Sequence, residues 1–187
     1  EFCAPNIDGN THPPFISVKS TQNIVIESFW RWLHEKLGMN LKEEILRGKR
    51  EHIFQEHNEQ HHLIFYWLFI PLVQGALDDF RTWWNQHKVR KQKEKKMPSG
   101  HIPVDAVKHC SRFGGHNCLI KVSEDAILDM RIVLEDEVGS RKANMEWYNE
   151  AFGEAAAEAY NAIGRPQVSL QNAWEIFLQL TVALDVV

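Results

Sequence analysis

Residues 20–30 read STQNIVIESFW, and the role given to the acidic residue in this stretch governs how the rest of the chain is understood. From Thr21 onward, Ile26, Phe29 or Trp30, Leu33 and Leu37 recur at helical spacing. Thr21 or Asn23 can cap the helix, and Gly38 is the expected stop. Glu27 then falls in the early turns, with Arg31 and His34 at i+4 and i+7 on the same polar side. On these grounds alone Glu27 complements the helix dipole and pairs with Arg31. A carboxylate kept ionised at a helix start is also a ready ligand for a hard cation, but a single one is half or less of a metal site.

Working upstream, residues 1–14 read as loop because Pro5, Gly9, Pro13 and Pro14 interrupt them, and FISVKS at 15–20 alternates like a short strand. Downstream, 40–57 carries a weaker helical pattern interrupted by Gly48. A long helix is expected over 59–87, bent at Pro71, which lacks a backbone donor. Its apolar run LIFYWLFIPLV, 63–73, has 11 residues. A bilayer span needs about 20, so this reads as a buried helix. KVRKQKEKK at 88–96 sets six basic residues against one Glu, and PSG follows at 98–100. That shift in composition divides the chain into 1–98 and 99–187. Beyond it come a turn at Gly114 and Gly115 and a short apolar segment, CLIKV. Helices are expected over 124–137, 145–163 and 169–184, with Ser123 and Ser169 as caps and Gly164-Arg165-Pro166 as a stop. The last stretch, NAWEIFLQLTVALDVV, is apolar enough to form a sticky patch outside its native context.

With 187 residues, 44% apolar and 11% aromatic, the chain can fill a core, which argues against disorder throughout. Its net charge of −4 supplies no global attraction to nucleic acid, so such a case must rest on a local patch. Three cysteines, Cys3, Cys110 and Cys118, make no disulfide framework, which suits a reducing, intracellular setting. The opening EFCAPNIDGNTHPP has no secretory pattern and no initiator Met, so the chain reads as a fragment.

Three features could carry chemistry. Lys88, Arg90, Lys91, Lys93, Lys95 and Lys96 could each neutralise a phosphate; the alternative is a solvated helix end whose lysines complement the dipole. HCSRFGGHNC offers His109, Cys110, His116 and Cys118, but the spacing fits no zinc pattern well and suits a plain turn. His57, His61 and His62 are a further group, with His57 and His61 at i,i+4, yet Glu59 is misplaced for a metalloprotease arrangement, so all three read as polar helix-end residues. The dense aromatics read mainly as core, with either Trp83 or Trp84 at an edge because neighbours cannot share a face.

Taken together, Ser20, Asn23, Ile26, Glu27, Phe29 and Trp30, then PLVQGALDDF at 71–80, Trp84, Asn85, His87 and PSG resemble the integrase core domain family. Its members here are transposon-derived, retroviral-integrase-like proteins of the DDE superfamily. The resemblance covers about residues 15–100 with order and spacing kept. It implies a mostly α chain: the C-terminal helical half of a ribonuclease-H-like α/β integrase core, with one short strand, plus a helical extension. It also implies that Glu27 is the last of three acidic ligands, Asp, Asp and Glu, for Mg²⁺ or Mn²⁺ in DNA strand transfer. Only Asp8 precedes Glu27, in a segment unlike a strand, and it is not assigned; the chain by itself is expected to lack strand-transfer activity. Ser28 stands where the family often has Arg. The implied partner is DNA, with a nuclear or intracellular location, no membrane, and a homo-oligomer left open. The rivals are a domesticated or decayed module that binds DNA or protein without chemistry, and a zinc-stabilised interaction domain at 101–120.

Overall fold

The computed structural model describes residues 24–93, 99–114 and 122–185. The expected strand at 15–20, Asn23, Lys95, Lys96, His116 and Cys118 lie outside the described residues. Within them the chain is mostly helical, and no strand occurs. The helices are α1 (Ile24–Leu33), α2 (Met39–Arg50), α3 (Glu59–Gln86), α4 (Pro103–Lys108), α5 (Glu124–Val138), α6 (Arg141–Asn144), α7 (Glu150–Ala162) and α8 (Ala173–Asp185).

Gly38 does not end the first helix. It holds helical angles, φ −62° and ψ −38°, and a π turn over His34–Gly38 carries α1 directly into α2. A glycine stops a helix by taking a left-handed conformation, and this one does not. Met39 N–H instead donates to the His34 carbonyl five residues back, which is the π pattern. Nor does Gly48 interrupt α2. The helix ends just after it, where Ile53 and Phe54 both donate to the Gly48 carbonyl at 2.9 and 3.0 Å and turn the chain back. Asn58 then starts α3 by accepting from Gln60 N at 2.9 Å and His61 N at 3.3 Å. The 28 residues of α3 run unbroken through Pro71.

Caps set the later boundaries. Ser123 accepts from Ala126 N at 3.2 Å and opens α5, as its sequence pattern predicts. Asn149, whose side chain accepts from Phe152 N at 2.8 Å, opens α7 at Glu150, five residues later than the apolar pattern suggests. Ser169 is no cap. Its N–H and hydroxyl both donate to Asn172 Oδ1, at 2.8 and 3.0 Å, closing residues 169–172 into a turn, so α8 starts at Ala173. Gly164, at φ 85°, ends α7 as predicted.

Packing groups the chain into two units. One comprises Glu27–Thr82 with Glu146–Val187, and the other Trp83–Met145 with the described part of Glu1–Ile26. In the first of these, Ile64, Leu68 and Phe69 of α3, Ala159 of α7, and Ala173, Trp174, Ile176, Phe177 and Leu180 of α8 form one buried cluster. Helices from both sides of the 98/99 position thus share a core. Trp174 organises it. Its ring lies 4.5 Å from Phe69 and 5.2 Å from Phe177 between centroids, and its Nε1 donates to the Glu44 carbonyl of α2 at 2.7 Å. A Cβ on Gly48 would stand 2.1 Å from the indole, so only glycine lets α2 approach this closely.

Ala173, Trp174, Ile176, Phe177 and Leu180 of the C-terminal stretch are therefore interior; Leu178 and Val182 on its other side remain exposed. By length and composition α3 could cross a membrane, and here its Ile64, Leu68 and Phe69 face the core. In the other unit, α5 buries none of its residues, and Leu128, Met130, Ile132, Val133 and Leu134 are more than half exposed.

Candidate nucleic-acid interface and the acidic helix position

The basic segment follows α3 directly. At the helix end, His87 N–H donates to the Trp83 carbonyl at 2.9 Å, and its Nδ1 lies 2.5 Å from the Trp84 carbonyl, which requires a proton on that nitrogen. The imidazole stacks on Trp83 at 5.1 Å, 16° from parallel, and sits 4.7 Å from Trp84. Trp83 is the exposed member of the pair, as adjacency demands. The signature Trp84-Asn85-x-His87 is thus, in structural terms, a helix terminator that sets where the chain leaves α3.

Beyond it the backbone is pinned at two points. Val89 N–H donates to the His101 carbonyl at 2.8 Å. Ser99 Oγ accepts from Gln92 N at 2.8 Å and donates to the Gln92 carbonyl at 3.0 Å. Gly100, at φ 82°, lets the returning chain lie against Lys91, where a Cβ would stand 3.3 Å from that residue's own Cβ. Val89 is half-buried, whereas Lys88, Arg90, Lys91 and Lys93 are exposed. Four cations are therefore displayed on a tethered segment, in a form suited to phosphate contact. Lys95 and Lys96 lie outside the described residues.

Glu27 sits in the first turn of α1 with its side chain exposed. Two residues on, Phe29 turns inward and meets Phe80 of α3 edge-on at 5.8 Å, which leaves Glu27 on the solvent side. The expected ion pair with Arg31 does not form. Among the described residues no three His, Cys, Asp or Glu side chains gather where they could hold a metal. A divalent cation takes about six or more oxygen ligands, so the described residues do not by themselves fit a two-metal centre.

The histidines divide differently from their sequence reading. His61 is a core residue, 5% exposed, whose Nδ1 accepts from Gln55 N at 3.1 Å. Burial pushes its pKa below the ordinary value; His62 acts in the same direction and Asp185 against it. His62 donates through Nε2 to the Glu56 carbonyl at 2.8 Å, so the two rings hold the turn before α3. The signal was present in Asn58, a cap that places His61 one turn inside the helix. His109 is exposed and Cys110 half-buried beside a 3₁₀ turn that ends at left-handed Gly114.

The integrase core domain family model matches residues 3–108, more than half of the chain. The chain belongs to the integrase core domain family. Neither a curated protein nor a solved structure matches it.

Proposed function

We propose that the chain is the C-terminal part of a transposon-derived integrase core of ribonuclease-H-like type, which in a longer protein performs metal-dependent DNA strand transfer. The observation that carries this reading is that one family match, over 3–108, takes in both Glu27 and the whole basic run. Glu27 is then one acidic ligand for Mg²⁺ or Mn²⁺, whose chemistry is to activate the attacking oxygen and stabilise the leaving one. Its exposure on a helix start suits a ligand completed by groups from elsewhere. Lys88, Arg90, Lys91 and Lys93, with Lys95 and Lys96, hold the DNA backbone, giving sequence-independent, salt-sensitive binding. The working site is inside the cell, in a nucleus where there is one, with DNA rather than membrane as partner.

The test uses a longer protein containing this chain. Glu27→Gln abolishes Mg²⁺- or Mn²⁺-dependent strand transfer while leaving DNA binding in place; retained transfer overturns the assignment. A second reading, a module that binds DNA or protein without chemistry, is favoured by the absence, among the described residues, of any three His, Cys, Asp or Glu side chains gathered to hold a metal. It expects DNA binding with no transfer in any longer form.

A further inference from the structure

Along α3, Trp67, Pro71, Gly75 and Asp79 stand at i, i+4, i+8 and i+12 and form one stripe. Above it, Tyr148 from the segment before α7 and Tyr160 of α7 close a cavity of 650 Å³. That size is in the range of small-molecule sites, and none of its residues belongs to the basic segment or to the Glu27 position.

The aromatic walls are fixed from behind. Trp67 meets Tyr160 edge-on at 5.4 Å, and the Tyr160 hydroxyl donates to the Pro166 carbonyl. Tyr148 packs on Gly153, where a Cβ would stand 3.2 Å from its ring, and meets Phe152 at 5.8 Å. Glycine at 153 is what lets that tyrosine lie so close to α7. The floor is left open: a Cβ on Gly75 would meet nothing within 4 Å.

Charge then selects the occupant. Among the described residues, Asp79 is the only ionisable side chain in the lining apart from the two tyrosines, and it makes no ion pair there. Pro71 has no N–H to give to the Trp67 carbonyl four residues back, which leaves acceptor capacity at the wall. Three aromatic side chains, a carboxylate and a carbonyl all favour positive charge, and among the described residues no Lys, Arg or His lines the cavity to favour an anion. A purely apolar guest would strip water from Asp79 and return nothing. A bare ammonium would lose strong hydration against the apolar walls; an alkylated ammonium, greasy and cationic, fits both.

We propose that this cavity binds a trimethylated ammonium group, either on a free small cation or on a modified lysine side chain.

Calorimetric titration of the chain with choline and with 3,3-dimethylbutan-1-ol, its neutral isostere, tests this. Choline binds about tenfold more tightly than the alcohol. Asp79→Asn weakens choline about three- to tenfold and leaves the alcohol unchanged. Gly75→Leu, whose Cβ would meet nothing within 4 Å, fills the floor and removes binding of both. Equal affinity for choline and alcohol overturns the proposal, as does choline binding that Asp79→Asn does not alter or no choline heat at all. A short peptide carrying one trimethyl-lysine identifies the source. Tighter binding than choline, lost when the lysine is unmodified, assigns a side chain; binding no tighter assigns a free cation.

Discussion

The Trp174 core and the Lys88–Lys93 segment are held in opposite ways. In the core, side-chain shape decides everything: Gly48 is glycine because the indole occupies the space a methyl would need. In the basic segment, the backbone is tied at Val89 and Gln92 while its charged side chains stand in solvent. A substitution in the core should therefore register as lost stability, and one among the lysines as lost affinity with the fold intact. The candidate functional charges stand in solvent, and the residues whose shape the packing demands lie elsewhere.

The contrast can be broken most forcefully at the indole. Trp174→Ala removes a fully buried aromatic and its bond to the Glu44 carbonyl, and is expected to cost about 3–5 kcal/mol in denaturant unfolding. Gly48→Ala, on the facing helix, is expected to cost about 1–3 kcal/mol by overpacking despite alanine's better helix propensity. Should Gly48→Ala prove stabilising, the close approach of α2 to Trp174 is wrong.

His61 sharpens the same side of the comparison through pH. Its neutral form accepts the Gln55 N–H, and burial lowers its pKa from the ordinary 6.5. The unfolded chain therefore binds the proton more readily than the folded one. This contribution to stability is complete above pH 6.5 and is lost as the pH falls through the folded pKa. Unfolding midpoints measured between about pH 7.5 and 5.5 should fall with acid, and His61→Gln should reduce that slope.

The smallest effect is expected on the other side. Ser99→Ala removes both hydrogen bonds to Gln92, at an exposed site, and should cost less than about 1 kcal/mol of stability. Amide exchange at Gln92 should nevertheless rise, because the tether rather than the core is what the hydroxyl serves.

Much of this organisation was legible in the chain. The periodicity of α3, the Ser123 cap and the Gly164 stop appear as the pattern predicts. Several of the failures share a cause: they depended on a partner distant in sequence or on which of two caps prevailed. Gly48 looks like an interruption until Trp174, far along the chain, is seen against it. Asn149 and Asn172 outcompete neighbouring residues for backbone groups, which local propensity does not resolve. For the candidate site, the lysines were legible as a charge run, but their tether to Ser99 and His101 was not. Glu27 stands out in the sequence only as a ligand the family pattern leads one to expect, and its solvent-facing setting follows from Phe29 reaching Phe80.

The most direct test of the central claim, that this segment engages DNA, is the salt dependence of duplex binding by the purified chain. Four phosphate contacts from Lys88, Arg90, Lys91 and Lys93 give a slope of log affinity against log salt of about −3.6. Any contacts by Lys95 and Lys96 steepen it. Replacing Lys88, Lys91 and Lys93 by Gln should flatten the slope by about 2.7 and leave the unfolding midpoint where it was. An unchanged slope would contradict the account and return the run to a solvated end of α3.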